Sequence, residues 1–248
     1  MAAVREGTAR ALAMRMYAWR RDPALFCREA LGFTPWESEV MASQGDVLRA
    51  CAWYQRVSVR SGHKVGKSKT GAALALWEYV CWPGSRTVLT APSARQIKRV
   101  LWREVGSMWR IARARLQSLG ITVSGELAVD PATGLIDKVT GSEILGFSTN
   151  DPDKFSGVSA WRVTYIVDEA SGVAEPIFKA MKGNMAGGAR LILFSNPTQP
   201  SGTFYDSHND SSELYRTFHF DSARVAIALV RREIRGPVGL EAEGLAQT

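Results

Sequence analysis

The chain has 248 residues with 46% hydrophobic and 22% charged side chains, ordinary for a soluble globular protein and long enough for one sizeable α/β domain with a modest appendage. Its net charge of +7 suits contact with a polyanion, although a basic, merely soluble protein would look the same. The three cysteines (Cys27, Cys51, Cys81) lack CxxC spacing, the three histidines are scattered and no apolar run matches a bilayer, so no disulfide scaffold, zinc site or membrane span is expected.

In chain order, residues 4–32 read as helical, and residues 36–52 as a second helix with Trp36, Val40, Leu48 and Ala52 on one face. Residues 56–60 alternate polar residues with valine, as a strand does, and a glycine-containing turn then leads into a helix over 67–81. The next strand is 86–91. Ser93 is a natural N-cap for a helix running to Leu116 with a bend near Gly106. Short alternating segments fill 121–148. A polar loop follows, with Asn150, Asp151, Asp153 and Lys154. Residues 161–167 and 190–194 are buried strands on either side of a helix over 174–185, and a last helix spans 225–234. Strands alternating with helices predict a mostly parallel sheet flanked by helices. Three segments result: an N-terminal helical segment (1–54), a core (55–220), and a C-terminal helix and tail (221–248).

The core carries a candidate phosphate loop, Ser61, Gly62, His63, Lys64, Val65, Gly66, Lys67, Ser68 and Lys69, between a strand and a helix. There, backbone N–H groups can point at phosphates, Lys67 can reach the β- and γ-phosphates, and the Ser68 hydroxyl can ligate Mg²⁺. Ser61 stands where the usual pattern has its first glycine. About 100 residues on, an apolar strand ends in Asp168 and Glu169. Asp168 suits a metal partner, and Glu169 a base that polarises the attacking water. The separation implies a sheet with an additional strand between the two motifs. A third strand end brings Ser195, Asn196 and Thr198 to the same carboxyl edge, where ligands of open α/β sheets bind. Arg60 is a candidate stabiliser of charge on the transferred phosphoryl group.

These segments, with Thr90-Ala-Pro-Ser-Ala-Arg-Gln-Ile97, Tyr165-Ile-Val-Asp-Glu-Ala-Ser-Gly172 and Gly202-Thr-Phe-Tyr-Asp206, resemble in order and spacing the ATPase domain of tailed-phage terminase large subunits. The resemblance covers roughly residues 30–220. It implies a P-loop NTPase fold and ATP with Mg²⁺ as substrate and cofactor. It further implies Lys67 and Ser68 as phosphate and metal ligands, Asp168 as the acidic metal partner and Glu169 as the catalytic base. Ser195–Thr198 would couple hydrolysis to movement of double-stranded DNA. The implied partners are a terminase small subunit and a portal protein, in a homo-oligomeric ring in the host cytoplasm.

Two departures stand out. Glu37 occupies a segment where the family often carries an adenine-contacting glutamine. The family also continues into a nuclease domain, for which the tail offers only Glu233, Glu241 and Glu243, so nuclease activity is not expected here. The rival readings are a helicase-like DNA-dependent ATPase and a truncated, non-catalytic prophage remnant. Arg95, Lys98, Arg99, Arg103, Arg110 and Arg113 form a run opposed by Glu104 alone, a candidate face for DNA phosphates.

Overall fold

The computed structural model describes residues 2–149, 152–231 and 233–236. Helix α1 (Ala2–Arg21) leads through a short α2 (Pro23–Phe26) and a wide helical turn to Gly32. Asp22 caps α2 by accepting from the N–H groups of Ala24 and Leu25. The helix expected over 36–52 is shorter than the pattern suggested. α3 spans Gln44–Trp53, and the residues before it are extended and include β1 (Glu37–Ser38). The start is set by a capping box, in which Ser43 and Asp46 each bond the other's backbone N–H. Val40, expected to share a helix face with Trp36, Leu48 and Ala52, lies outside the helix and is exposed.

The central sheet has seven strands in the order β4-β5-β3-β6-β7-β2-β8. These are β2 (Arg56–Ser61), β3 (Arg86–Ala91), β4 (Leu135–Ile136), β5 (Glu143–Ser148), β6 (Val163–Asp168), β7 (Arg190–Ser195) and β8 (Arg216–Phe220). All neighbours run parallel except β4 against β5. The interposed strand that the motif spacing implied is β7, which lies between β2 and β6. The strand β8 had no counterpart in the sequence pattern. Its exposed Thr217 and His219 alternate with buried Phe218 and Phe220, as on an edge strand with one covered face.

Helix α4 (Lys67–Cys81) packs on one face of the sheet. Alternation along each strand sorts the core accordingly. Val57, Val59, Ile166, Ile192 and Phe194 join the layer under α4, while Tyr165, Val167, Leu191 and Leu193 join the layer under α8 (Glu175–Gly183). Asp168, two residues beyond Ile166, therefore falls on the α4 side.

After β3, Ser93 caps α5 (Ala94–Gln96) through a reciprocal bond pair with Gln96. A wide turn over Ile97–Leu101 then leads into α6 (Trp102–Ser118). The irregularity expected near Gly106 thus sits a turn earlier, and α6 continues through Gly106. Trp102 and Trp109 are buried, as core residues should be. Residues 121–123 form no strand. α7 (Asp153–Ser156) precedes β6, and α9 (Thr203–Asp206) follows β7. The last helix, α10 (Ser222–Val230), starts and ends earlier than expected, and Ile234 instead joins β9 (Ile234–Arg235), antiparallel to β1. Asn150, Asp151, Glu241 and Glu243 lie outside the described residues. Among those described, no helix is long and apolar enough to cross a membrane.

At the amino end of the sheet, Glu78 of α4 is 1% exposed. It accepts from Arg162, from Arg190 (2.8 Å) and from the Thr164 hydroxyl (3.1 Å). This ion cluster clamps α4 to β6 and β7 at the end opposite the candidate site.

Candidate functional site

The phosphate-loop segment leaves β2 and enters α4 directly. Its last residue before the helix, Gly66, has φ 86° and ψ 23°, a left-handed conformation that an L side chain resists. Gly66 also has no room for a side chain, since a Cβ would lie 2.2 Å from Gln44 Nε2. Gln44, buried on α3, braces the loop from behind. Its amide donates to the Gly66 carbonyl (3.1 Å) and Thr70 Oγ1 (3.1 Å), and its Oε1 accepts from the Trp36 N–H (3.1 Å). Trp36 Nε1 donates in turn to the Val65 carbonyl (3.2 Å). The loop's other end is tied by the Gly62 N–H to the Phe220 carbonyl on β8 (3.3 Å).

Neither Gln44 nor Trp36 was marked as a site residue by the sequence. The segment that the family resemblance assigns to base recognition holds Glu37, which here is engaged by Arg49 through two bonds of 2.9 and 2.8 Å. Gln44 lies seven residues further on and touches the loop instead.

Lys67 and the two acids lie within electrostatic reach of one another. Lys67 Nζ donates to the Gly62 carbonyl (2.6 Å) and to Asn196 Oδ1 (2.7 Å), and Ser68 Oγ donates to Asp168 Oδ2 (2.6 Å). Asn196 Nδ2 lies 2.8 Å from His63 Nε2, so the amide joins two loop residues to the end of β7. Glu169 has φ 52°, a left-handed conformation uncommon for a side chain with a Cβ. Held backbone strain of this kind clusters where a side chain must be aimed.

Burial governs the electrostatics. Lys67 is 8% exposed, and burial lowers its pKa while the charges of Glu169 and Asp168 oppose that shift. Asp168 is 5% exposed, and burial pushes its carboxyl up. The Ser68 hydroxyl and the Lys67 charge oppose this rise, and the Glu169 charge adds to it. Two buried groups of opposite sign thus sit in one polar cluster with Glu169 close enough to act on both.

The structure does not bring every predicted residue here. Arg60 shares the face of β2 with Ser58, whose hydroxyl bonds Ser207 (2.7 Å) and His208 (3.0 Å) on the side away from α4. Its charge acts on His208 and His219. Strand alternation is the reason, because Arg60 and Val59 must point to opposite faces. Thr198 is exposed and contributes its backbone N–H to the Asn196 carbonyl (2.9 Å), so the polar cluster is built from Ser195 and Asn196. Lys69 is exposed and lies over the Phe33 ring (4.8 Å), and Lys64 is exposed with φ 58°. Ser61 is buried at the carboxyl end of β2.

The donor set fits a hard divalent cation, since a hydroxyl and a carboxylate already in contact are oxygen ligands of the kind Mg²⁺ prefers. The chain's fit to a phosphate lies in the uncapped start of α4, which has no side-chain acceptor on its first N–H groups, beside a lysine with two of three donors engaged.

Away from this cluster, Arg95, Lys98, Arg99, Arg103, Arg110 and Arg113 are all exposed. Lys98, Arg99, Arg103, Arg110 and Arg113 line one groove between the α6 region and residues 126–129.

No family model matches the chain. A probable terminase large subunit of Enterobacteria phage P7 is 33% identical over 154 residues, which is 61% of this chain and 31% of that protein. This chain therefore corresponds to about a third of that relative's length. The large terminase ATPase domain of Thermus phage P74-26 superposes with a TM-score of 0.64 at 18% identity, over 85% of this chain and 92% of that one. The large terminase of the thermophilic bacteriophage D6E, in a complex with ADP, gives a TM-score of 0.51 at 16% identity, over 67% of this chain and 40% of that one. The resemblance to tailed-phage terminase large subunits is thus present in sequence, and the fold is that of their ATPase domain.

Proposed function

We propose that the chain is an ATP-hydrolysing motor domain of the terminase large-subunit kind, driving translocation of double-stranded DNA into a prohead. What carries the reading is one juxtaposition. Ser68 of the loop touches Asp168, 100 positions away, while Lys67 beside it bridges to Asn196 at the end of β7.

Bound Mg-ATP would supply the transferable phosphoryl group and a cation that spreads its charge. The chain's own residues do the rest. The first N–H groups of α4 and Lys67 hold the phosphates. Ser68 and Asp168 hold the metal. Glu169 orients a water and accepts its proton. Ser195 and Asn196, which contact both the loop and the turn after β6, are placed to report the state of the phosphates to the neighbouring strand. The exposed arginines and lysines from Arg95 to Arg113 suit sequence-independent contact with DNA phosphates, as a translocating motor requires. In this reading the domain works in the host cytoplasm as a homo-oligomeric ring with a portal protein and a small subunit.

The test is nucleotide-dependent stabilisation. Mg-ATP should raise the melting temperature, and Lys67→Ala should abolish the rise. Glu169→Gln should keep the binding and lose turnover. Absence of any shift at millimolar nucleotide would favour a non-catalytic remnant, and stimulation by single strands with unwinding would favour a helicase.

A further inference from the structure

The turn that carries Glu169 is fastened twice to the end of β7. The half-buried Ser171 donates its backbone N–H to Ser195 Oγ (3.0 Å) and its hydroxyl to the Asn196 carbonyl (2.7 Å). The turn is closed locally by the Gly172 N–H on the Glu169 carbonyl (2.9 Å). Asn196 is therefore a hub. Its carbonyl accepts from Ser171, its Oδ1 accepts from Lys67, and its amide nitrogen contacts His63. Through this one residue, the backbone that aims Glu169 and the amine that meets phosphate are held in a common frame.

We propose that Ser171 is a positioning residue for hydrolysis. Its hydroxyl sets the aim of Glu169 and registers it against the Lys67–Asn196 pair. This rests on the ATPase reading above. A left-handed residue such as Glu169 does not hold its conformation by intrinsic preference. Neighbouring bonds must impose it, and Ser171 supplies two of them within two residues. Removing the hydroxyl leaves the Ser171 N–H bond to Ser195 and the Thr198 N–H on the Asn196 carbonyl, so the turn loosens without losing its attachment. Phosphate and metal contacts through the loop are not touched.

The expected signature is a split between turnover and binding. Misplacing a reacting group by about 1 Å can cost on the order of 100-fold in rate. Ser171→Ala in the full chain should lower kcat by about 10-fold or more, on the scale of that misplacement effect. KM for ATP and the affinity for Mg-ADP should change less than about twofold, the limit expected when binding groups are untouched. Ser171→Thr, which keeps the hydroxyl, should recover most of kcat.

Three results would overturn the proposal: wild-type kcat in Ser171→Ala, a loss of nucleotide affinity as large as the loss of kcat, or a threonine variant no better than alanine. Wild-type chain is measured alongside. If it shows neither turnover nor nucleotide-dependent stabilisation, the ATPase reading itself fails and the role of Ser171 falls with it. If wild type turns over and Ser171→Ala matches it, only the positioning role fails.

Discussion

Replacing Gly66 with alanine tests how the loop is shaped. At φ 86° the new Cβ meets its own backbone, at a cost of roughly 1–2 kcal/mol. It would also lie 2.2 Å from Gln44 Nε2, so the Gln44 amide must move. That amide makes three bonds of 3.1 Å, to Trp36, Gly66 and Thr70. Disturbing one or two of them costs about 1–2 kcal/mol, at a net worth near 1 kcal/mol each. Gly66→Ala should therefore destabilise the fold by about 2–4 kcal/mol, where each kcal/mol is about 2–4 °C for a chain of this size. The clash and the backbone strain separate in a double-mutant cycle with Gln44→Ala, read by urea unfolding. The clash share, about 1–2 kcal/mol, should vanish once Gln44 is shortened, while the left-handed share should persist. Strict additivity, or a cost for Gly66→Ala below about 0.5 kcal/mol, the usual range for surface substitutions, would refute the brace.

Three further outcomes are expected. Glu78→Ala leaves the buried Arg190 without its carboxylate and should cost about 3–5 kcal/mol, and a loss typical of a surface ion pair would show that the cluster is hydrated. Asp168→Asn bears on pH. Burial raises the folded carboxyl's pKa above its ordinary 3.8, so the stability this group contributes is full below that value and is lost as pH rises through the folded one. The asparagine variant should gain on wild type as pH rises above 3.8 in chemical unfolding, and a constant or opposite gap would contradict the sign. For the basic groove, Arg103→Ala and Arg110→Ala should each reduce the slope of log K for duplex DNA against log salt by about 0.9, and unchanged slopes would place the DNA elsewhere.

The elements that were legible in the sequence are those whose pattern is set by local chemistry. Helix α4 begins and ends where expected because a glycine turn precedes it and Pro83-Gly84 follows it. The strand over Arg86–Ala91 and the cap at Ser93 were equally plain. What escaped is decided by tertiary pairing. Residues 36–43 have helical spacing of apolar groups, yet the Ser43–Asp46 box starts the helix later and β9 takes Glu37–Ser38 as a strand partner. No local signal could announce that pairing, since its two halves lie almost 200 residues apart in a chain of 248. In the site, Lys67, Ser68, Asp168 and Asn196 converge as their motifs implied. Arg60 does not, because membership of a motif fixes position along a strand but alternation fixes which face a side chain takes.

The same distinction explains why the site is robust where it is and strained where it is. Its loop part comes from backbone geometry at one helix start, and its acids come from the end of β6, two strands over, with β7 between. Those parts touch directly where Ser68 Oγ donates to Asp168 Oδ2, and they are tied a second time across β7. The spanning residues are Asn196, which reaches the loop with its side chain, and Ser171, which reaches Asn196 with its hydroxyl. Both sit just beyond strand ends, so this second tie lies outside the sheet's own hydrogen bonds. The buried ion cluster around Glu78 fastens the opposite end of the same three elements, α4, β6 and β7.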